Sequence, residues 1–349
     1  MATTVQPQQP KHTAVPPQQP TPERFFNAIN AHQQTEALKT AVDLEVFTAI
    51  AEGNATAAAI AKRCGCAERG VRTLCNFLTI HGFLTKDGTQ YGLAPDTAVF
   101  LNGKSPAYIG GAMEFMLSPR SREAFAKLTD VVRHGGTVMG EEGSTVAENP
   151  EWVTFARAMM PLMRMPSQLM AAELRKGGEA HKVLDIAAGH GMYGISVAKE
   201  NPAAQVYAAD WKNVLEVAKA NAQAMGVGDR HHLIPGNAFE TDFGSDYDLV
   251  LVPNFLHHFD VATCTTFLKK VRAALKPGGR VAILEFMPND DRVTPPTAAA
   301  FSMIMLVNTP SGDAYTFAEI EGMTKNAGFT RMEPTPRDIG FSRLAIAYA

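Results

Sequence analysis

From residue 23 to about residue 100, apolar positions recur every third or fourth residue, the spacing of helices. Leu38, Val42, Leu44, Phe47 and Ile50 outline one such face, and Thr56 stands before Ala57–Ala61 as the cap of a further helix. Val71, Leu74, Phe77, Leu78 and His81 mark another, from about Ala67 to Ile80. Phe83-Leu84-Thr85, a turn at Lys86-Asp87-Gly88, and Tyr91-Gly92-Leu93-Ala94 then spell a hairpin, because Asp-Gly between short apolar runs favours one. Helices followed by a hairpin describe a winged helix. Residues 104–176 predict several more helices, unusually rich in Met. Met at helical spacing reads as adaptable core or as a malleable wall for an apolar ligand, and Phe155, Met159, Met160 and Met163 form the preferred pocket segment.

The rhythm changes at Lys182. Val183–Ile186, Val206–Asp210, Leu249–Val252 and Val281–Leu284 are short, nearly solid apolar blocks, with a shorter strand at Leu233-Ile234. Helical stretches over about 191–200, 212–225 and 260–275 separate them, the last ending at Lys276-Pro277-Gly278-Gly279. Such alternation predicts a parallel sheet buried on both faces. Phe329–Glu333 and Arg343–Tyr348 read as a closing antiparallel pair. The expected division is a disordered tail over 1–22, a winged-helix domain over 23–103, a helical linker over 104–178 and an α/β domain over 179–349.

Composition narrows the functions open to this fold. The 349 residues suggest about two domains, and 46% apolar against 19% charged residues allows a sizeable core. A net charge of -3 lacks the attraction a nucleic-acid binder needs. The candidate recognition helix offers only Arg69 and Arg72 against Glu68. Packing against a second copy therefore suits the module better than DNA. No apolar run reaches membrane-spanning length, and the Pro- and Gln-rich start lacks a signal peptide's apolar core. A cytoplasmic protein is expected, with Cys64, Cys66, Cys75 and Cys264 as reduced thiols. No cluster has metal-ligand spacing, so no metal is expected.

The chemistry gathers at the ends of the predicted strands. Asp185-Ile186-Ala187-Ala188-Gly189-His190-Gly191 leaves the first strand and opens a helix. With Gly194 it also spells the G-x-G-x-x-G of a dinucleotide site, and Asp210 ends the next strand where a ribose-binding acid belongs. A dinucleotide oxidoreductase is thus one reading. S-adenosylmethionine is the other. The Asp185 carboxylate suits the ammonium of a methionine moiety and is unwelcome beside a pyrophosphate. Asn237 can bond an adenine edge, and Phe239, after Ala238, can shield it. His257, in Asn254-Phe255-Leu256-His257-His258, follows the fourth long block, where open α/β sheets bind ligands. It reads as a general base or as a helix-entry residue before a capping Asp260. Glu285 ends the fifth block and can orient it.

Residues 23–349 resemble the dimeric O-methyltransferases of the plant caffeate and bacterial antibiotic or acetylserotonin type. The matching words are Ala37–Leu44, Leu184–Gly191, Asp210-Trp211, Gly236–Phe239, Leu256-His257 and Leu275–Gly279. The resemblance implies a class I methyltransferase with a Rossmann-like α/β sheet and an N-terminal winged-helix, mainly α dimerisation domain. It implies a homodimer that uses S-adenosyl-L-methionine, releases S-adenosyl-L-homocysteine and methylates a hydroxyl of a small, aromatic acceptor. The cofactor set is then Asp185, Ala187, Gly189, Gly191, Asp210 for the ribose, Trp211 near the adenine, Asn237, Ala238, Phe239 and Asn254. His257 takes the place of the family's base, with Glu285 as its partner. Met116, Phe301, Met305, Asn308 and Tyr315 join the Phe155–Met163 segment as acceptor-pocket residues.

The sequence departs from the family's pattern at several positions. Ala187 and Ala188 replace Gly, Asn237 replaces Asp, and His258 stands where Asp is frequent. In Ser311-Gly312-Asp313-Ala314-Tyr315-Thr316, Ala314 replaces a second Glu, which keeps C- or N-methylation open as the alternative reaction.

Overall fold

The computed structural model describes residues 20–349, so the expected tail lies, up to residue 19, outside the described residues. The chain divides into two compact units, one up to Ser105 and one from Pro106 onward.

In the first unit, α1 (Glu23–Asp43) and α2 (Val46–Ala51) precede α3 (Ala57–Cys64) and α4 (Glu68–Ile80). The hairpin β1 (Leu84–Asp87) and β2 (Gln90–Leu93) follows, then α5 (Pro95–Phe100). Thr56 caps α3 by accepting the Ala59 N–H at 3.3 Å, as its sequence position predicts. Phe47, Ile60, Val71, Cys75, Leu78 and Leu84 are buried together and form the unit's core. The hairpin turn is one step later than the sequence suggests. Lys86 and Asp87 stay in β1, opposite Tyr91 and Gln90. Lys86 is held there by the Asn76 side chain at 2.7 Å, and Asn76 also accepts the Tyr91 hydroxyl at 2.9 Å.

The second unit opens with α6 (Met113–Met116), α7 (Pro119–Ala126), α8 (Leu128–His134) and α9 (Glu151–Arg175). It continues through β3 (Lys182–Ile186), α10 (Met192–Glu200), β4 (Gln205–Asp210), α11 (Lys212–Ala224), β5 (His231–Pro235) and β6 (Tyr247–Pro253). Next come α12 (Val261–Ala274), β7 (Leu275–Glu285), α13 (Pro296–Asn308), α14 (Phe317–Asn326), β8 (Arg331–Pro334) and β9 (Arg343–Tyr348). The seven strands lie in the order β5-β4-β3-β6-β7-β9-β8. β5 to β7 run parallel, and β9 and β8 close the sheet antiparallel.

The apolar blocks are explained by helices on both faces. Leu184, Ile186, Val250, Val252, Val281 and Ile283 pack against α12 and α14. Val183, Val206, Leu249, Leu251, Ala282 and Leu284 pack against α9 and α10. Ser196 of α10 also donates to Ser167 of α9 at 3.0 Å, a buried polar bolt between the two helices. Lys276–Gly279, which reads as a helix end, belongs instead to β7. A register shift between Tyr247 and Leu249 absorbs these four residues, so Tyr247 pairs with Leu275 and Leu249 with Arg280. The chain moves outward from β3 to β5 and then returns to place β6 on the other side of β3. The carboxyl ends of β3 and β6 therefore border the crevice where such sheets bind ligands.

Candidate active site

Asp185 lies on the β3 face that α10 covers and is completely buried. One carboxylate oxygen accepts the Gly194 N–H at 2.9 Å, while the other is shielded and has no partner. Burial pushes this carboxyl up to about 7, against the lowering effect of the Gly194 N–H. Gly194 is required by that packing, because a Cβ there would stand 2.8 Å from the Asp185 carboxylate and 2.6 Å from Val206. The third glycine of the G-x-G-x-x-G string thus makes room for an acid, a reason unrelated to pyrophosphate.

After β3 the chain turns through Ala187, Gly189 and Gly191, with φ of 52°, 57° and 75°. Ala187 accepts a left-handed conformation that favours glycine. The turn delivers the Gly189 N–H to Asp210 at 2.8 Å, and Asp210 also receives the Trp211 N–H at 2.7 Å. Burial pushes the Asp210 carboxyl up to about 6. Each of its oxygens keeps a lone pair for a further donor such as a ribose hydroxyl.

Across the crevice, Asn254 leaves β6 at φ 53°, and its side-chain oxygen is buried without a partner. Its Nδ2 donates to the Tyr193 hydroxyl at 3.4 Å, and that hydroxyl donates in turn to Met163 Sδ at 3.5 Å. Sequence reasoning passed over Tyr193, whose signal was its place in the first turn after the glycine loop. Unsatisfied buried acceptors on Asp185 and Asn254 fit a donor-rich cation, the character of an amino-acid ammonium, and oppose a phosphate. Asn237 also shapes its own turn. Its oxygen accepts the Phe239 N–H at 3.0 Å and its Nδ2 donates to Glu240 at 3.3 Å, which leaves the amide one further N–H and one lone pair. Phe239 packs among Phe255, Phe259 and Phe267, and the Ala238 carbonyl accepts Lys270 Nζ at 3.0 Å.

The neighbouring constellation is built on Glu285 at the end of β7. One of its oxygens accepts the N–H groups of Phe255 and Leu256 at 2.9 and 2.7 Å. The other meets His257 Nδ1 at 2.6 Å, with both side chains buried. A carboxylate can only accept, so Nδ1 carries the proton and Nε2 presents its lone pair. No described residue bonds that Nε2. Phe301 of α13 lies edge-on to His257 with ring centres 4.8 Å apart and stacks on Phe286 at 4.0 Å. Asp260 caps α12 by accepting the Thr263 N–H at 2.7 Å, so the helix-entry role belongs to it.

Gly312 presses on the backbone of this turn. A Cβ there would come within 2.2 Å of the His257 carbonyl oxygen. Arg292 holds the strap that carries Gly312, bonding Asp313 at 3.0 Å, the Ala314 carbonyl at 3.2 Å and the Glu319 carboxylate. Ala314 itself is buried and cannot supply the second carboxylate. Gly312→Ala is expected to displace the His257 backbone and lower kcat at least about tenfold, because misplacing a group at a reacting centre by about 1 Å costs that much or more. Steady-state kinetics beside calorimetric titration with S-adenosylhomocysteine checks this. An unchanged kcat removes Gly312 from the positioning of His257.

The pocket residues divide. Phe155 approaches the glycine loop, 4.0 Å from a Cβ built on Gly189, and sits edge-on to Phe115 and Trp152. Trp152, which sequence reasoning missed, continues this wall to His258 at 5.4 Å. Met163 reaches Tyr193, and Met160 packs beneath it in the α9–α10 core. Met159 is half-buried on α9, and Met305 is buried one turn beyond Phe301 on α13. Of the remaining expected pocket residues, Met116 is 56% exposed. Tyr315 is buried in the core and gives its hydroxyl to the Phe259 carbonyl at 2.5 Å. Asn308 turns its Nδ2 back to the Ile304 carbonyl of its own helix at 2.9 Å.

A parallel α/β sheet whose crevice is lined by buried acids and a carboxylate-backed histidine defines a methyltransferase more readily than a dinucleotide enzyme. The O-methyltransferase domain model matches residues 125–330, and the O-methyltransferase dimerisation domain model matches residues 26–103. The chain belongs to the O-methyltransferase family and is an S-adenosylmethionine-dependent methyltransferase. It is similar to a Nostoc punctiforme protein of known structure classed as an O-methyltransferase, with 50% identity over 95% of this chain and 100% of that one and a TM-score of 0.92. It is 27% identical to the 3-hydroxy-5-methyl-1-naphthoate 3-O-methyltransferase of Streptomyces sahachiroi, over 90% of this chain and 92% of that protein. It is 25% identical to mouse acetylserotonin O-methyltransferase, over 89% and 85% of the two chains.

Proposed function

We propose that this protein methylates a hydroxyl on a small aromatic molecule, with His257 as general base and Glu285 as the group that orients it. The observation that carries the reading is the buried Glu285–His257 contact at 2.6 Å, which leaves Nε2 as the lone-pair nitrogen. Bound S-adenosylmethionine supplies a methyl group already activated by a positively charged sulfur. Phenols ionise near pH 10, so at neutral pH the acceptor oxygen must lose its proton as it reacts. His257 Nε2 takes that proton, and the Glu285 carboxylate stabilises the imidazolium, a service worth about 10²–10⁴-fold. Asp185, Tyr193 and Asn254 hold the amino-acid end of the cofactor, and Asp210 the ribose. Phe155, Trp152 and Phe301 give the acceptor ring apolar faces and exclude water.

The enzyme works as a homodimer. Support comes from the dimerisation-domain match and from α1, which leaves Phe25, Phe26 and Ile29 more than half exposed on one unit. A cytoplasmic site of action accords with four free thiols and with the absence, among the described residues, of a helix long and apolar enough to cross a membrane. The test supplies ¹³C-methyl-labelled S-adenosylmethionine and a panel of phenols and naphthols. A product whose labelled methyl resonates as an aryl methyl ether supports the reading. A label on ring carbon or nitrogen overturns it. Titration with NAD in parallel is expected to give no heat.

A further inference from the structure

Beside the base stands a second imidazole that the proton transfer does not use. The ring of His258 is 4.4 Å from that of His257 and lies edge-on to Trp152 at 5.4 Å. Its Nδ1 is shielded from solvent and has no hydrogen-bond partner, the residue as a whole is half-buried, and no described residue bonds its Nε2. Burial, with His257 alongside, holds this imidazole well below the usual histidine range, so it carries a single proton at neutral pH. A buried N–H without a partner is rarer and costlier than an unpaired acceptor. The proton therefore belongs on Nε2.

The two adjacent rings then have opposite tautomers. His257, tied through Nδ1 to Glu285, offers a lone pair at Nε2; His258 offers an N–H at its own Nε2. From this pairing we infer that the acceptor of this enzyme carries an oxygen acceptor next to the reacting hydroxyl, a carbonyl ortho or peri to the phenol, and that His258 is the residue that reads it. The inference rests on the O-methyltransferase reading of the same site. The chemistry gives the pairing a purpose. A phenol beside a carbonyl closes an internal hydrogen bond that ties up its proton. An N–H donated to the carbonyl and a lone pair offered to the hydroxyl open that ring and turn the proton toward His257. An ionised aspartate at position 258 could only accept and would repel the carbonyl oxygen.

The test compares 2-acetyl-1-naphthol, whose carbonyl adjoins the hydroxyl, with its isomer 4-acetyl-1-naphthol, whose groups stand apart. The intact protein is expected to favour the first by about tenfold or more in kcat/KM, the effect of one hydrogen bond left unmade in a closed site. His258→Phe should bring the two isomers together, and His258→Gln, which keeps an N–H, should retain part of the preference. Titration with S-adenosylhomocysteine verifies that each variant holds its fold. Equal rates for the two isomers, or a preference that survives His258→Phe, overturn the role of His258 and leave O-methylation standing. Ether formation on neither isomer, nor on any phenol of the panel, overturns both readings.

Discussion

His257→Ala is expected to lower kcat by about 10³-fold, within the range for loss of a positioned base, and to leave affinity for S-adenosylhomocysteine nearly intact. The reason lies in the separation of the two machineries. His257 touches Glu285, His258 and Phe301, and none of these bonds Asp185, Asp210 or the glycine loop. Glu285→Gln is the sharper test. A glutamine oxygen can still accept the Phe255 and Leu256 N–H groups that fix the turn. Its amide nitrogen, however, would face His257 Nδ1 and donate to it. Nδ1 then becomes the acceptor, the proton moves to Nε2, and the lone pair no longer faces the substrate. The expected loss is about 10²-fold or more with the fold preserved, since a wrong tautomer disables a base that is still present. The two residues act as one unit, so the double variant should be little worse than His257→Ala alone. Rapid-quench kinetics checks the chemical step directly. Retention of the wild-type rate by either single variant removes the proton-transfer role.

That pair was half legible in the sequence. The solid apolar blocks located each parallel strand, and open sheets place ligands at strand ends, so His257 and Glu285 stood out as polar residues following such blocks. Asp185, Gly189 and Asp210 were legible for the same reason. Side-chain commitments across the fold were not. The sequence shows Asn237 as a donor and acceptor and does not show that its own turn engages one bond at each end of the amide. Tyr315 looks available until its hydroxyl is found on the Phe259 carbonyl, far away in sequence. Trp152 and Tyr193 were missed because one sits on a long helix and the other inside a buried one, where periodicity marks only a core. The start of β7 was misread because Pro277 and the glycines signal a stop, while the register shift that admits them depends on Tyr247 in the neighbouring strand. The third glycine, Gly194, was ambiguous as a letter and became specific only once Asp185 was seen against it.

Asp185→Asn is expected to weaken S-adenosylhomocysteine binding by about 10²-fold, the scale for losing a buried charge opposite an ammonium, while making the empty protein more stable above pH 7. Both effects follow from the same burial. In the unfolded chain the carboxyl ionises near its ordinary value of 3.8; in the folded protein it is pushed up to about 7. Between those two pH values the folded state binds the extra proton, so stability declines as pH rises through the window. Above pH 7 the empty fold bears the full cost of an ionised buried acid, and only a cationic ligand offsets it. Asparagine keeps an acceptor for the Gly194 N–H and removes the charge. The melting temperature of the wild type should therefore drop between pH 5 and pH 8 by several degrees more than that of the variant, at roughly 2–4 °C per kcal/mol for a unit of this size. Asp210, pushed up to about 6 by burial, acts in the same direction in both proteins; its charge also helps to raise Asp185, so part of the difference is the repulsion between the two acids. Wild-type affinity for S-adenosylhomocysteine should rise more steeply from pH 6 to pH 8 than the variant's, because Asp185 ionises in that range in addition to Asp210. Tight binding with the same pH dependence in both proteins would remove Asp185 from the cofactor site. Equal melting shifts would show that its buried charge is compensated within the fold.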